Sequence, residues 1–293
     1  MSNQTILVSG AAGQMGRRVT DLLLEAKAGR VIAGARDAAK VADLVQRGAE
    51  VRHVDFDDAV SLAQAFAGVD RLLIISTDAI AEPGRRLQQH RNAVAAAAKA
   101  GVKHVVYTSM PNADKNNFIF FAPDHRGTEE ALAASSLSYT VLRNNWYTDY
   151  LPTSLKPAVA MGKLFAAAGE GGAAFITRED CAKAAVAALM SSNMDRRVME
   201  LTGPAVVTFR ELARLAAEVT GKPVEYIPVD GDAIKQTLMQ NGVPELYANL
   251  TKQSQTSMKE GLMGPASDTF RLLTGQQPTS VADFLKANRA LLL

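Results

Sequence analysis

The chain has 293 residues, of which 47% are hydrophobic and 21% charged, and its 32 basic and 30 acidic residues give a formal net charge of +2. This composition is ordinary for a globular protein, and because the basic residues are scattered, it does not favour nucleic-acid binding. No apolar run reaches the length of a membrane span, and the single cysteine, Cys181, excludes an internal disulfide. These features predict a cytoplasmic protein that binds neither nucleic acid nor membrane.

The first predicted element is a buried strand that runs into a glycine-rich turn. Residues 6–8 are apolar, and the G-x-x-G-x-x-G spacing that follows consists of Gly10, Gly13 and Gly16. Glycine lacks the Cβ atom that would block a tight turn and a close approach of the backbone to a pyrophosphate. An amphipathic helix is predicted from near Gln14, and its first N–H groups would face an anion. The pattern predicts a dinucleotide-binding turn, with a plain strand-to-helix turn as the alternative.

The second predicted strand, residues 30–36, ends in a cation. Arg36 follows the last glycine by roughly 20 residues, near the position at which a dinucleotide-binding fold reads the adenosine ribose. An acidic residue there would bind a free 2′-hydroxyl, whereas a guanidinium pairs with a 2′-phosphate. The sequence therefore predicts NADP, in its reduced form NADPH, as the cofactor; a solvated surface arginine is the alternative.

Strands and helices continue to alternate along the first half of the chain. The predicted helices are 39–46, 57–66, 84–100 and 124–134, and the predicted strands are 50–54, 71–76, 104–108 and 139–143. Near-continuous apolar strands between helices indicate a parallel sheet covered on both faces. We therefore predict an α/β fold with a Rossmann-type doubly wound parallel sheet in residues 1–152, whose ligand lies at the carboxyl ends of the strands.

The second half of the chain mixes helices with short strands. The predicted helices are 178–190, 209–220 and 281–291, and a strand is predicted over 224–227. We predict a smaller C-terminal α+β domain in residues 153–293 that caps the substrate, with helix 178–190 packing back on the first domain. Two further stretches, 169–172 and 253–257, are predicted to be a solvent turn and a polar loop.

Several segments together resemble one known family. The segments are 10–16, 89–93 leading into 100–104, 107–109, and the string L-R-N-N-W-Y at 142–147. On these segments the chain resembles the NmrA-like atypical short-chain dehydrogenases/reductases, above all the NADPH-dependent type 2 quinone oxidoreductases and the related triphenylmethane reductases. The resemblance implies hydride transfer from NADPH to a quinone or a similar electron-poor conjugated acceptor, hence a small aromatic or quinonoid substrate.

The resemblance also assigns site residues. The pyrophosphate would be held by the glycine turn with Gln14 and Met15, and the 2′-phosphate by Arg36 with Lys40 as a second candidate. The remaining cofactor contacts would be Asp55 and Phe56 beside the adenine, Ser76 and Thr77 beside the nicotinamide ribose, Tyr107, Thr108 and Ser109 near the nicotinamide, and Asn144, Asn145, Trp146 and Tyr147 where cofactor and substrate meet.

Three of these residues have structural alternatives. Asp55 precedes a predicted helix and could cap its first amides instead of bordering an adenine. Trp146 and Tyr147 could pack in a core rather than line a substrate site. Both alternatives remain open at this point.

The chain lacks the acid–base pair of ordinary short-chain dehydrogenases. Those enzymes use Tyr-x-x-x-Lys, in which the lysine lowers the tyrosine pKa, and none of the six tyrosines here has a lysine four residues later. Reduction of a quinone depends less on acid catalysis by the protein, because the reduced quinone anion can take a proton from water or a weak acid. His125, where isoflavone-reductase-like relatives have a lysine, is a candidate proton donor; Tyr107 and Tyr147 are the other candidate catalytic residues. A locally bonded helix histidine is the alternative for His125.

Other functions stay open. The NmrA-like group includes non-catalytic NAD(P)-sensing regulatory proteins, which the missing Tyr–Lys pair permits, and reduction of triphenylmethane-type dyes is a further alternative. A nucleotide-sugar epimerase is disfavoured by the same missing pair.

The aromatic run 118–121 is interpreted as a substrate flap or a hydrophobic wall. The histidines at 53, 90 and 104 lack metal-ligand spacing, so no metal is predicted, and both a monomer and a homodimer are compatible with the sequence.

Overall fold

The computed structural model describes residues 4–114 and 117–293, in which strands and helices alternate. The strands are β1 (Thr5–Val8), β2 (Arg30–Ala35), β3 (Glu50–His53), β4 (Arg71–Ile74), β5 (His104–Ser109), β6 (Ser138–Asn144), β7 (Lys163–Ala166), β8 (Gly172–Ala173), β9 (Arg197–Leu201), β10 (Val207–Thr208) and β11 (Glu225–Pro228). The α-helices are α1 (Gln14–Glu25), α2 (Ala42–Gln46), α3 (Ala59–Phe66), α4 (Arg85–Lys99), α5 (Ala122–Ala134), α6 (Leu151–Met161), α7 (Arg178–Met190), α8 (Phe209–Thr220), α9 (Gly231–Gln240), α10 (Glu245–Lys259), α11 (Thr269–Thr274) and α12 (Val281–Ala287). Short 3-10 helices occupy Ala38–Val41, Thr148–Tyr150 and Arg289–Leu292.

Seven of the strands form one sheet in the order β3-β2-β1-β4-β5-β6-β9. Strand β1 pairs in parallel with both β2 and β4, with Leu7 opposite Ile32 and Leu72, and the pairings β2–β3, β4–β5 and β5–β6 are also parallel. The strand order reverses between β1 and β4, and a doubly wound sheet binds its ligand outside the carboxyl ends of the strands at such a point. The predicted α/β fold of the Rossmann type is confirmed.

Apolar side chains cover both faces of this sheet. On β2, Ile32 belongs to a buried cluster with Phe66 of α3 and Val94 of α4, whereas Ala33 belongs to a second cluster with Leu44 of α2. Successive residues of a strand point to opposite faces, so the two clusters lie on the two sides of the sheet. Burial on both sides explains why the strands are near-continuous apolar runs in the sequence.

The chain divides into two compact units. The first comprises the chain up to Met110, Pro123–Arg143 and Glu179–Met199; the second comprises Pro111–Ala122, Asn144–Arg178 and Glu200–Leu293. This division differs from the predicted single boundary after residue 152, because the second unit already begins at Asn144 and also takes Pro111–Ala122. The segment Glu179–Met199, which carries all of α7 except its first residue, returns to the first unit, and the strand that follows α7 joins the seven-stranded sheet.

The second unit mixes helices with two small sheets, as predicted for an α+β domain. Strand β7 pairs in parallel with β11, and β8 pairs antiparallel with β10. Helix α8 begins at a cap, because the Thr208 hydroxyl accepts a hydrogen bond from the Glu211 N–H, and it ends at Gly221 with a φ of 76°. Within the described residues, no helix is long and apolar enough to cross a membrane.

The polar stretch 253–257 lies inside α10, so its prediction as a loop is wrong. The Ser257 hydroxyl donates to Asn117 Oδ1, and Gln255 Oε1 accepts from the backbone N–H of Ala167 at 2.7 Å. Hydrogen bonds of this kind let polar residues occupy the buried face of a helix. A search for apolar periodicity misses such a helix face.

The prediction of a solvent turn at 169–172 is only partly right. Glu170 is exposed, but Gly172 is buried in β8. A Cβ atom on Gly171 would collide with the backbone of Met258 and Lys259 at the end of α10. This close approach of two backbones requires a glycine at position 171.

Candidate active site

The glycine turn connects β1 to α1 at the carboxyl edge of the sheet. Gly10 has a φ of 64°, a left-handed conformation that glycine adopts without strain. A Cβ atom on Gly16 would collide with the Gly10 carbonyl and lie 3.0 Å from Ala11 Cα, whereas one on Gly13 would lie 3.3 Å from the Gly10 oxygen. The shape of the turn therefore depends on Gly10 and Gly16 more than on Gly13.

The amino end of α1 suits an anion. Its N-cap residue is Gly13, no side chain caps the first amides, and the first turn carries no acidic residue. Ala12, Gly13 and Gln14 are exposed at the positive end of the helix dipole, although the Gly13 N–H already donates to the Gly10 carbonyl at 2.9 Å. Met15 is buried and would reach a ligand through its backbone rather than its side chain. These residues fit the pyrophosphate of a dinucleotide.

The two candidates for a 2′-phosphate contact lie just after β2. Arg36 is exposed, and its backbone carbonyl accepts from His53 Nδ1 at 3.0 Å. Lys40 is also exposed, and its carbonyl accepts from Arg17, whose guanidinium pairs with Asp43 at 2.6 Å. Exposure of both side chains is what a contact with a phosphate requires.

The loop after β3 contains the predicted adenine contacts. Asp55 Oδ1 accepts from the backbone N–H of Asp57 at 3.0 Å, which closes a local turn. The cap of α3 is Asp58, so the helix-cap alternative for Asp55 is wrong. Phe56 is 6% exposed and packs in the core of the first unit, so little of its ring can border an adenine.

The loop after β4 is tied to the end of β5. The Ser76 N–H donates to Thr108 Oγ1 at 2.9 Å, and the Thr108 hydroxyl lies 3.4 Å from Ser76 Oγ. The Thr77 hydroxyl donates to Gln89 Oε1 at 2.7 Å. These residues lie at the carboxyl edge of the sheet, and their contact with the nicotinamide ribose stays a prediction.

A buried ion pair anchors the end of β5. The Ser109 hydroxyl donates to Glu129 Oε1 at 2.6 Å, and the same carboxylate accepts two hydrogen bonds from Arg143, at 2.9 and 2.6 Å. The side chains of Arg143 and Glu129 are only 9% and 11% exposed. This pair was not predicted, because the two residues lie on different elements, α5 and β6, and no local spacing in the sequence links them.

Tyr107 and His125, which are predicted to be catalytic, are both buried in the first unit. Tyr107 is fully buried and His125 is 3% exposed, and Tyr107 Oη lies 2.9 Å from His125 Nδ1. Burial raises the pKa of Tyr107, while burial and the nearby Arg86 charge hold the pKa of His125 well below its usual range. The Tyr107 side chain belongs to the buried cluster that packs against α4 and α5, and its burial disfavours a direct catalytic role.

In the second unit, the segment after β6 carries the string N-N-W-Y. Asn144 Nδ2 donates to Tyr147 Oη at 3.2 Å. The Asn145 amide donates to the Met263 carbonyl at 3.0 Å and accepts from the Trp146 N–H at 2.8 Å, and the residue is 3% exposed. Asn145 therefore shapes the loop, and its prediction as a cofactor contact is not supported by its side-chain position.

Two tyrosine rings of the second unit lie against an arginine, and Trp146 lies beside one of them. The Arg178 guanidinium lies 5.0 Å from the ring centre of Tyr147 and 4.4 Å from that of Tyr150, and the rings of Trp146 and Tyr150 are 6.3 Å apart. Trp146 and Tyr147 are partly exposed, so the core-packing alternative does not hold for them. No local signal in the sequence points to Arg178, since only the fold brings it to these rings.

The aromatic run 118–121 belongs to the second unit. Phe118 is 48% exposed, whereas Ile119 is fully buried. The Phe120 N–H donates to Gln253 Oε1 at 3.0 Å, which fastens the run to α10. The substrate flap stays a prediction, with Phe118 its most exposed ring.

Across the described ranges, no group of three or more histidine, cysteine, aspartate or glutamate side chains could hold a metal ion.

The first unit has the strand order, the glycine turn and the uncapped helix end of a dinucleotide-binding fold. Residues 10–192 match the model of the NAD(P)H-binding family. The chain belongs to this family. Its cofactor is therefore NAD(P)H, and the match spans the residues that the sequence analysis assigned to the cofactor, from Gly10 to Tyr147.

Individual relatives match nearly the whole chain. Quinone oxidoreductase 2 of Escherichia coli (strain K12) is 34% identical over 279 residues, which are 95% of this chain and 96% of that protein. The crystal structure of an NADPH-dependent quinone oxidoreductase from Escherichia coli in complex with NADPH superposes with a TM-score of 0.92 at 33% identity, covering 97% of this chain and 99% of that one. The Citrobacter sp. triphenylmethane reductase in complex with NADP(H) gives a TM-score of 0.90 at 35% identity, covering 96% and 99%.

Proposed function

We propose that this protein is an oxidoreductase that transfers a hydride from NADPH to a quinone or a similar electron-poor conjugated acceptor. The observation that carries the proposal is the burial of Tyr107 and His125, which removes both predicted proton donors of the first unit from contact with a substrate. An ordinary ketone needs a proton donor at its oxygen during reduction. A quinone needs less help, because its conjugated anion takes a proton from water.

The first unit supplies the residues that bind the cofactor. NADPH, when bound, supplies the hydride from its nicotinamide ring. The amides at the amino end of α1 bind the pyrophosphate, and Arg36, with Lys40, binds the 2′-phosphate that distinguishes NADPH from NADH. Two of the relatives are named as complexes with NADPH or NADP(H), which supports the preference for the phosphorylated cofactor.

The second unit supplies surface suited to a flat acceptor. Trp146 and Tyr147 are partly exposed aromatic rings, and Tyr147 Oη accepts from Asn144, which orients the phenol. Such rings stack on a planar conjugated substrate. Tyr147 is accordingly the remaining candidate for a weak acid. The names of the relatives, a quinone oxidoreductase and a triphenylmethane reductase, support an aromatic or quinonoid substrate.

The test is anaerobic consumption of NADPH with a panel of quinones, a triphenylmethane dye, a nitroaromatic and an unconjugated ketone. We expect turnover with quinones and none with the ketone. Tight binding of NADPH without consumption by any acceptor would instead identify a non-catalytic NAD(P)-sensing regulator. Turnover of the dye alone would identify a dye reductase.

We further infer that the protein acts in the cytoplasm. Its single cysteine, Cys181, is fully buried in α7, and an internal disulfide is impossible. This cysteine usage is typical of a reducing compartment. Fractionation of expressing cells, with detection of the protein in the cytosolic fraction, tests the inference.

A further inference from the structure

Three side chains of α4 bind every polar group of Thr77, in the loop after β4. The Thr77 N–H donates to His90 Nε2 at 3.0 Å, and its hydroxyl donates to Gln89 Oε1 at 2.7 Å. Arg86 Nε donates to the Thr77 carbonyl at 2.7 Å. Residues three and four apart share one face of a helix, so a single face of α4 holds this loop.

The same helix also holds the loop after β3. Gln89 Nε2 donates to Asp57 Oδ2 at 2.8 Å, and Asn92 Nδ2 donates to the Phe56 carbonyl at 2.9 Å. The hydrogen bonds from Arg85 and Gln89 lower the pKa of Asp57, so its carboxylate stays charged as an acceptor. One helix thus fastens two neighbouring loops at the carboxyl edge of the sheet.

The tautomer of His90 is set by α5. The Thr128 hydroxyl donates to the Asp124 carbonyl at 2.6 Å, and its oxygen lies 2.9 Å from His90 Nδ1. Because the Thr128 hydroxyl proton is already donated to Asp124, the Thr128 oxygen can only accept from His90. His90 therefore carries its proton on Nδ1, and its Nε2 accepts from the Thr77 N–H. Burial, with the charge of Arg86, lowers the pKa of His90 to about 3, which keeps this acceptor unprotonated.

We propose that the polar face of α4, formed by Arg86, Gln89, His90 and Asn92, positions the two loops that border the two halves of the dinucleotide. Asn92 and Gln89 set the loop at the adenine, and His90, Gln89 and Arg86 set the loop at the nicotinamide ribose. This assignment deepens the proposed cofactor site and rests on it. The four side chains act through the loops and do not touch the cofactor, so they are positioning residues.

Burying the polar face of α4 is unfavourable for stability, which indicates that its side chains have another role, the positioning of the two loops. Arg86 and Gln89 are each 4% exposed and His90 is fully buried. Buried polar groups stabilise a fold poorly compared with apolar groups, and leaving one of their partners unbonded is strongly unfavourable. Each of these side chains therefore favours the arrangement of the loops in which its hydrogen bonds are made.

The chain offers a matched control in His104. This histidine is also fully buried in the first unit, and its ring nitrogens lie 2.9 Å from Ser138 Oγ and 3.0 Å from Thr140 Oγ1. It begins β5, so it lies at the amino end of the strands, opposite the edge that carries the loops. A merely structural role predicts the same result for replacement of His90 and of His104.

The first experiment measures the dissociation constant of NADPH by fluorescence titration, together with urea unfolding, for His90→Met, His90→Gln and His104→Met. We expect His90→Met to weaken NADPH about tenfold or more, because it leaves the Thr77 N–H without its acceptor. His90→Gln, whose amide oxygen replaces Nε2, should recover most of the affinity. His104→Met should lower stability while changing NADPH affinity by less than about twofold.

A second measurement separates the two loops with adenosine 2′,5′-bisphosphate, a fragment that keeps the adenine and the 2′-phosphate but lacks both the nicotinamide and the nicotinamide ribose. Asn92→Ala, at a half-buried position that tolerates truncation, should weaken this fragment and NADPH alike. His90→Met should weaken NADPH and leave the fragment unchanged. Unaltered NADPH affinity in His90→Met, an equal loss in His104→Met, or undiminished fragment binding by Asn92→Ala would each overturn the proposal. These experiments measure binding in the absence of turnover. They therefore test the positioning role even if the protein does not reduce quinones.

Discussion

Tyr107 Oη and His125 Nδ1 lie 2.9 Å apart in the interior of the first unit, and Arg86 donates to the other ring nitrogen of His125 at 2.9 Å. The two residues that the sequence offers most readily as proton donors are therefore each other's partners. Their hydrogen bond joins the middle of β5 to the first turns of α5. We therefore expect it to contribute to the stability of the fold rather than to the reaction.

The variant Tyr107→Phe should retain quinone reduction. We expect kcat within about twofold of the native value, with a loss of about 1–3 kcal/mol in the free energy of unfolding, because the bond to His125 is removed in the interior. Steady-state kinetics and urea unfolding measure the two effects. The matched variant is Tyr147→Phe, at a partly exposed phenol. A loss of kcat should appear in Tyr147→Phe and not in Tyr107→Phe. An equally large loss in Tyr107→Phe would contradict the structural role of Tyr107.

The variant Arg36→Asp should weaken NADPH and spare NADH. A charge-assisted hydrogen bond contributes about 1.5–3 kcal/mol, so we expect the NADPH dissociation constant to rise about 10- to 100-fold. The new carboxylate can instead accept from the free 2′-hydroxyl of NADH. Lys40→Ala should give a smaller loss of NADPH affinity. Unchanged affinity for NADPH in Arg36→Asp would show that this arginine does not bind the phosphate.

Alanine at the two later glycines of the turn should have unequal effects. A Cβ on Gly16 would strike the Gly10 carbonyl, a backbone atom that cannot move aside, whereas one on Gly13 stays 3.3 Å from it. Gly16→Ala should therefore lower the thermal midpoint and abolish NADPH binding, and Gly13→Ala should be milder in both. Thermal unfolding with and without NADPH checks this order, and equal effects would refute it.

Acid should destabilise the fold through its buried histidines. Burial, and then the charges of Arg71 and Arg197, lower the pKa of His104 from 6.5 to about 4. The unfolded chain therefore binds a proton that the folded chain does not, so stability present above the unfolded pKa is lost as the pH falls from 6.5 toward 4. The slope from this group approaches about 1.4 kcal/mol per pH unit. The free energy of unfolding, measured by urea titration at several pH values in this range, should fall less steeply with falling pH in His104→Met than in the native protein. Identical slopes in the two proteins would exclude the effect.

Elements with strong local signals were predicted closely. Helix α8 occupies the predicted residues 209–220, because an amphipathic pattern, a threonine cap and a terminal glycine all agree. Helix α7 likewise occupies 178–190. Helix α10 was not predicted, because its buried face carries Ser254, Gln255 and Ser257, and the partners of Gln255 and Ser257 come from distant segments.

The sequence by itself determined the alternation of strands and helices, the glycine turn and the position of Arg36, and these led to an NAD(P)H-binding fold. Each depends on neighbours within a few residues, where backbone conformation and spacing decide the outcome. The tertiary structure alone decided that Tyr107 and His125 are buried and that His90 binds the loop at Thr77. Those outcomes depend on which elements pack together across the sheet, and side-chain burial is a property of that packing.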